Sequence, residues 1–169
     1  MKKILLLASV LLSLSVFAQN DDGTILKKND RLPEFRLESS IHGTIDSKDL
    51  QGKITLITIF ATWCGPCQRE LAEIQKELWP QYKDNPDFVM LVAGREHTDD
   101  ELTKYNEKKK FTFPLYPDPK REFTGKFATK NIPRTYLVDK EGKIIYTSIG
   151  YSEKEFKALI KLLKTKLKK

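Results

Sequence analysis

The chain has 169 residues, of which 40% are hydrophobic and 31% are charged, and its formal net charge is +7. This length predicts one domain with a sizeable hydrophobic core. The chain has only two cysteines and two histidines, and His42 and His97 are not at ligand spacing. A metal site needs about four ligands, so this composition argues against one, and we predict no metal and no cofactor.

The N-terminal residues 1–18 have the pattern of a secretory signal peptide. Lys2 and Lys3 precede an apolar stretch at residues 4–17, and small side chains before the cleavage site predict processing after Ala18. The stretch is shorter than the ~20 residues of a membrane-spanning helix. We therefore expect an exported, periplasmic protein, with a membrane anchor facing the periplasm as the alternative. Loss of the two lysines lowers the net charge from +7 to +5.

Residues 19–29 are polar and predict a flexible segment in front of a domain at residues 30–169. Short apolar groups at residues 35–37 and 44–46, separated by a turn at residues 39–43, predict a β-hairpin before the main fold. An exported chain with no interleaved basic and aromatic motif is not expected to bind nucleic acid.

A Trp-Cys-Gly-Pro-Cys motif at residues 63–67 carries both cysteines of the chain. A β-branched, apolar run at residues 54–60 predicts a buried strand before it, and apolar residues at helical spacing predict a helix from Pro66 until Pro80 ends it. Cys64 thus lies at a helix N-terminus, where unpaired N–H groups and the helix dipole favour a thiolate. Since a thiolate is the nucleophile of disulfide exchange, the pair predicts a dithiol that cycles with a disulfide.

The cysteine pair has two other interpretations. A purely structural disulfide is one, but a bridge between residues three apart closes too small a loop to constrain the chain much. A peroxidase is another, and it would need a Pro-x-x-x-Thr-x-x-Cys arrangement that Cys64 lacks. Redox exchange therefore remains the leading interpretation.

The middle of the chain alternates between strand and helix patterns. Residues 88–93 predict a second buried strand, parallel to the first, and residues 99–109 predict a helix. Residues 111–119 contain three prolines and are expected to be irregular, and residues 120–129 predict a short helix.

Three polar residues, Arg95, Glu96 and His97, follow the second parallel strand. The C-terminal end of that strand lies on the same sheet edge as the cysteines, because both strands are parallel. These residues are candidates for the rim of a substrate site, and solvated loop residues are the alternative.

Residues 135–138 and 143–149 predict a hairpin, and a lysine-rich helix closes the chain. The apolar residues of this helix recur at helical spacing, which favours docking on a sheet with the lysines exposed. Weak contact with an anionic membrane surface, or with an acidic partner, is the alternative. Together the elements predict an α/β fold with a central mixed β-sheet flanked by helices.

The cysteine motif and the Asn-Ile-Pro phrase at residues 131–133 resemble those of the thioredoxin superfamily. The signal peptide, the N-terminal hairpin and an extra helix–loop segment at residues 98–118 resemble its TlpA/ResA branch of exported proteins. The resemblance covers about residues 30–167 and implies a thioredoxin-like fold with an N-terminal β-hairpin and a helix–loop insertion.

The resemblance also implies roles for the motif residues. Cys64 would attack a substrate disulfide, and Cys67 would resolve the mixed disulfide. The bond before Pro133 would be cis, with a trans proline that opens an edge strand as the alternative. The residues implied in substrate binding are Trp63, Gly65, Pro66, Ile132 and Pro133.

Glu70 is the predicted proton acceptor. It follows Cys67 by three residues, so the two side chains share a helix face. A carboxyl in an apolar pocket beside a thiol has a raised pKa and can take the thiol's proton. The position of Glu70 resembles that of the characteristic acid of the TlpA/ResA branch. Thioredoxin has its buried acid at a different position, which Thr58 occupies in this chain. A solvated Glu70 paired with a lysine is the alternative.

The resemblance implies an exported protein-disulfide reductase, since the Gly-Pro dipeptide resembles that of reducing thioredoxins. Candidate substrates are proteins with disulfides, such as apocytochrome c in cytochrome c maturation, and a membrane reductase of DsbD or CcdA type would supply electrons. A periplasmic disulfide oxidant or isomerase is one alternative, and a redox-inactive binding module that uses the cis-proline groove is another. We expect a monomer.

Overall fold

The computed structural model describes residues 21–168. The signal peptide predicted over residues 1–18, with its cleavage site after Ala18, lies outside the described residues. Within the described chain, no helix combines the length and the apolar character that crossing a membrane requires.

A short hairpin and a five-stranded mixed sheet form the β-structure of residues 21–168. The hairpin strands are β1 (Arg36–Ser39) and β2 (Gly43–Asp46). The strands of the sheet are β3 (Ile54–Phe60), β4 (Phe88–Arg95), β5 (Leu115–Asp118), β6 (Arg134–Val138) and β7 (Ile144–Ile149). Their spatial order is β5-β4-β3-β6-β7, with β3, β4 and β5 parallel and with β6 antiparallel to both β3 and β7.

The helices of the described chain connect and flank these strands. They are α1 (Gly65–Glu73), α2 (Trp79–Tyr82), α3 (Asp99–Lys109), α4 (Thr124–Phe127) and α5 (Glu153–Leu167). The predicted fold class, a mixed sheet flanked by helices with an N-terminal hairpin, is confirmed.

β3 is buried along its whole length and separates two apolar clusters. Leu56 and Phe60 belong to the cluster that contains Cys67 and the apolar residues of α1 and α5. Ile57 and Ile59 belong to the cluster formed with the hairpin and α4. A central strand covered on both faces needs apolar side chains at successive positions, which is why this run contains so few polar ones.

The helix after the cysteines continues past its predicted stop at Pro80. A π-helical stretch at Ile74–Leu78 links α1 to α2, and the Trp79 N–H donates to the carbonyl of Ile74, five residues earlier. Pro80 lies in the first turn of α2, where a missing N–H is tolerated. The prediction of a stop was wrong because it treated proline as a terminator in every helical context.

The segment at residues 111–119, which was expected to be irregular, contains β5. β5 is the edge strand of the sheet, and its Pro117 lies opposite Gly94 of β4. An edge strand tolerates proline because one side of the strand has no neighbour to pair with. The short helix expected at residues 120–129 is confirmed only in its central turn, α4.

Most of the segment predicted to be flexible, residues 19–29, is described, and it contacts the domain. The N–H groups of Ile25 and Leu26 both donate to the carbonyl of Phe127, at 3.0 and 3.1 Å, and that of Asn29 donates to the carbonyl of Ile144 at 2.8 Å. Backbone hydrogen bonds leave no side-chain pattern, so sequence analysis does not detect this attachment. The domain boundary at residue 30 stays a prediction.

The C-terminal helix α5 docks on the sheet as predicted. Its residues Phe156, Leu159 and Leu163 are buried in the same cluster as Leu56 of β3. Its basic residues include Lys164 and Lys166 in the last turn, near the negative end of the helix dipole.

Replacing Leu163 by alanine tests this docking. Leu163 is fully buried, whereas the neighbouring Leu162 is only partly buried. We expect Leu163→Ala to lower the free energy of unfolding by about 2–5 kcal/mol, because it leaves a cavity in the core. Leu162→Ala, as the matched control, should cause a much smaller loss. Urea unfolding followed by circular dichroism measures both, and equal losses would contradict the docking of α5.

Candidate active site

Cys64 and Cys67 form a disulfide where β3 leads into α1, with their Cα atoms 5.3 Å apart. The chain is therefore described in its oxidised state. Cys64 is the N-cap of α1, and its Sγ accepts a hydrogen bond from the Cys67 N–H at 3.2 Å. Cys64 thus occupies the predicted position, where the helix dipole stabilises negative charge on its sulfur.

The two cysteines differ in access to solvent. Cys67 is fully buried, whereas Cys64 keeps 6% of its surface exposed. The neighbours of Cys64 along the chain, Trp63, Gly65 and Pro66, are all exposed, and Trp63 is the most exposed of the large apolar residues described, at 66%. An incoming disulfide therefore meets Cys64 before Cys67.

The Ile132–Pro133 peptide bond is cis, as the resemblance implied, and it lies beside the disulfide. The carbonyl oxygen of Ile132 is 3.7 Å from the Sγ of Cys64. β6 begins at Arg134, directly after this bond, and pairs antiparallel with β3. The start of β6 therefore lies at the end of β3 where the cysteine motif begins.

Glu70 is buried, with 3% of its surface exposed, rather than solvated. Its Oε1 accepts a hydrogen bond from the Thr135 hydroxyl at 2.6 Å, and its Oε2 has no partner among the described residues. Burial raises the pKa of Glu70 to about 7, and the Thr135 hydrogen bond opposes that rise. The carboxyl group can therefore gain or lose a proton at neutral pH.

Thr135 is a site residue that sequence analysis missed. It lies two residues after Pro133 on β6, and it is opposite Thr58 in the register of β3 and β6. Both threonines are fully buried. Residues directly opposite in an antiparallel pair present their side chains on one face, so Thr58 lies on the face of the sheet where Thr135 contacts the Glu70 carboxyl.

In the loop just before the cysteines, hydrogen bonds hold both the backbone N–H and the backbone carbonyl of Thr62. Its N–H donates to Nε2 of His97 at 3.0 Å, and its carbonyl accepts from Nε2 of Gln68 at 3.1 Å. The hydroxyl of Tyr105 in turn donates to Oε1 of Gln68 at 2.6 Å. Three separate elements therefore hold the backbone from which Cys64 projects.

The residues at the C-terminal end of β4 and just after it have two different roles. The guanidinium of Arg95 lies 5.9 Å from the ring centre of Trp63 and pairs with Glu96 at 3.1 Å. His97, by contrast, is buried and faces Thr62. Arg95 therefore borders the site, as one of the two interpretations predicted, whereas His97 supports the loop from within.

The sequence and fold of this chain have clear relatives. The profile of the AhpC/TSA family matches residues 29–147. The chain belongs to the AhpC/TSA family. It is similar to the thiol-disulfide oxidoreductase ResA of Bacillus thuringiensis (strain Al Hakam), with 30% identity over 123 residues, which span 73% of this chain and 70% of that protein.

Solved structures agree with this assignment. A solution structure of a candidate protein disulfide isomerase from Bacteroides thetaiotaomicron matches with a TM-score of 0.83 and 30% identity, over 87% of this chain and 94% of that one. A crystal structure of a candidate thiol:disulfide interchange protein DsbE from Chlorobium tepidum shares the fold, with a TM-score of 0.72 and 23% identity, over 85% of this chain and 99% of that one. The protein is a thiol–disulfide oxidoreductase of the ResA and thioredoxin type, with Cys64 and Cys67 as its cysteine pair.

Replacing Glu70 by glutamine should change how stability depends on pH. The pKa of Glu70 in the folded protein is about 7, above its ordinary value of 4.5, so the native state holds this proton more tightly than the unfolded state. The contribution of this tightly held proton to the free energy of unfolding is complete below about pH 4.5, and it is lost as the pH rises through about 7. We expect the free energy of unfolding of the wild type to fall, relative to Glu70→Gln, by up to about 3 kcal/mol.

The measurement is denaturant unfolding of the disulfide form between about pH 4 and pH 9, a range that brackets the pKa. Glutamine keeps an oxygen that can accept the Thr135 hydrogen bond, so packing is preserved. Glu73→Gln, on the same helix, is the control and should follow the wild-type curve. Parallel curves for wild type and Glu70→Gln would show that Glu70 ionises in the folded protein as it does in water.

Proposed function

We propose that the protein is an exported reductant of protein disulfides, in which Cys64 attacks, Cys67 resolves and Glu70 accepts the proton of Cys67. One observation carries the proposal: a buried carboxyl with a pKa of about 7 shares a helix face with the covered cysteine of the disulfide. A covered thiol needs a nearby base before it can attack, because water does not reach it.

The reaction proceeds in two exchanges. The thiolate of Cys64 attacks one sulfur of a substrate disulfide, which forms a mixed disulfide and releases the other substrate sulfur as a thiolate. Glu70 takes the proton of Cys67, and the resulting thiolate attacks the Sγ of Cys64. The substrate leaves with both sulfurs reduced, and the protein is left with the Cys64–Cys67 disulfide.

The charge around the cysteines supports the reductive direction. A disulfide protein is a strong oxidant when its reduced form is stabilised. A carboxylate buried on the same helix face as Cys67 destabilises a neighbouring thiolate, because like charges repel. Glu70 therefore favours release of electrons to a substrate over their retention in the dithiol.

The exposed surface around Cys64 supports docking of a substrate chain. Trp63, Gly65 and Pro66 are exposed neighbours of Cys64 along the chain, and the Ile132 carbonyl, which precedes the buried Pro133, lies 3.7 Å from its Sγ. We assign substrate contact to these residues, since together they border the accessible cysteine.

Export to the periplasm rests on the signal pattern at residues 1–18. Substrates in cytochrome c maturation, an electron donor of DsbD or CcdA type and a monomeric state rest on the resemblance to the TlpA/ResA branch. A membrane-anchored form that faces the periplasm would carry out the same chemistry. Disulfide isomerisation is the second candidate, because the Bacteroides thetaiotaomicron relative is described as a candidate isomerase.

The redox potential separates these functions. We expect equilibration with glutathione or dithiothreitol to give a two-electron potential below about −230 mV, closer to thioredoxin at about −270 mV than to DsbA at about −120 mV. Glu70→Gln should shift the potential in the oxidising direction, because it removes the repelling charge. A wild-type value near −120 mV would overturn the reductive assignment and favour the oxidant.

Trapping tests the division of labour between the cysteines. Cys67→Ser should accumulate mixed disulfides with its partners in the cell envelope, because Cys64 still attacks and nothing resolves the product. Cys64→Ser is the matched control and should trap little, since the remaining thiol is fully buried. Non-reducing electrophoresis detects the adducts. More adducts with Cys64→Ser than with Cys67→Ser would reverse the assignment.

A further inference from the structure

Arg134, the residue after the cis-proline, is buried, with only 1% of its surface exposed. Its guanidinium donates to the carbonyls of Lys130 and Asn131, both at 3.0 Å. It also donates to the hydroxyl of Thr24 at 2.6 Å and to the carbonyl of Asp22. One buried side chain thus joins two segments that lie more than a hundred residues apart in sequence.

We call residues 21–26 the N-terminal strap and residues 128–133 the docking loop. No carboxylate within residues 21–168 forms an ion pair with Arg134, so its buried charge is satisfied by the carbonyl and hydroxyl groups of these two segments. Burial of a guanidinium group costs free energy unless its N–H donors find hydrogen-bond acceptors. The position of the docking loop is therefore coupled to that of the strap.

Backbone contacts align the strap with the docking loop. Thr24 forms an antiparallel bridge with Ala128, and the Thr129 N–H donates to the carbonyl of Gly23 at 2.8 Å. Gly23 has a φ of +75°, and a Cβ there would lie 2.4 Å from the Lys130 side chain and 2.8 Å from its backbone nitrogen. The close approach of the two segments therefore requires glycine at this position.

We propose that Arg134 is a positioning residue, which fixes the docking loop for protein substrates by tying it to the N-terminal strap. This inference rests on the proposed function, in which the Ile132–Pro133 segment contacts the substrate. The Ile132 carbonyl lies 3.7 Å from the Sγ of Cys64, so a shift of the loop changes where a docked chain lies relative to the sulfur. Small disulfides, which need no docked chain, are insensitive to that shift.

Two glycines provide a matched test of the strap. Gly23 and Gly142 have φ values of +75° and +76°, so alanine brings the same backbone strain to both. Only at Gly23 does the new Cβ meet the docking loop, whereas nothing lies within 4 Å at Gly142. We expect Gly23→Ala to raise the KM for insulin, a disulfide-bonded protein substrate, by roughly 10–100-fold, and Gly142→Ala to leave it unchanged.

Arg134→Lys is the second variant. Lysine keeps the charge but lacks the planar fork of donors, so it cannot hold both segments, and we expect the KM for insulin to rise as in Gly23→Ala. The rate with Ellman's reagent, a small disulfide, should stay within about twofold of the wild-type rate for both variants, and the redox potential should not change, because the cysteines are untouched.

Several outcomes would overturn the inference. They are an unchanged KM in Gly23→Ala and Arg134→Lys, an equal rise in Gly142→Ala, and a parallel loss of the reaction with Ellman's reagent, which would indicate general disruption. If the wild type reacts with Ellman's reagent but fails to reduce insulin, the proposed function fails, and the inference that rests on it fails as well.

Discussion

The proposed mechanism depends on one carboxyl group that the fold removes from water. Glu70 is almost fully buried, and one hydroxyl, that of Thr135, is its hydrogen-bond partner in the described chain. A single hydrogen bond does not replace the lost hydration of a carboxylate, so the proton is held until the pH is near neutral. The same bond joins α1, which carries the cysteines, to β6, which follows the cis-proline. In the proposed mechanism, one hydrogen bond therefore links the group that accepts the proton to the segment that contacts the substrate.

The parts of this site that were predictable from sequence are those with local signals. A β-branched run of seven residues before the cysteine motif located β3, because a central strand must be apolar on both faces. Helical spacing placed Glu70 and Cys67 on one face of α1 without any knowledge of the fold. The resemblance of the motif and of the segment before Pro133 then supplied the roles. These signals were sufficient for the fold class and for the cysteine pair, whereas the role of Glu70 stays a prediction.

The contacts that sequence analysis missed join elements that are distant in the chain. Thr135, His97 and Arg134 are polar residues within ordinary strand or loop sequences, and only the register of β6 or the path of the loop after β4 shows what they contact. Pro80 and Pro117 led to the opposite error, in which regular structure was not predicted where it exists. The rule that proline ends regular structure fails after a π-helical turn and in an edge strand. Sequence patterns over a few neighbouring residues therefore located the cysteine pair, but not the distant residues whose contacts hold the site in place.

The most direct test of this account is the titration of the Glu70 carboxyl itself. Its ¹³C resonance, assigned by comparison with Glu70→Gln, would be followed by NMR against pH in the disulfide and the dithiol forms. The account predicts a midpoint near 7 in the disulfide form. It also predicts that the titrations of Glu70 and Cys67 are coupled in the dithiol form, because ionisation of either group disfavours a second negative charge beside it. A midpoint near the ordinary value of 4.5 in both forms would contradict the central claim.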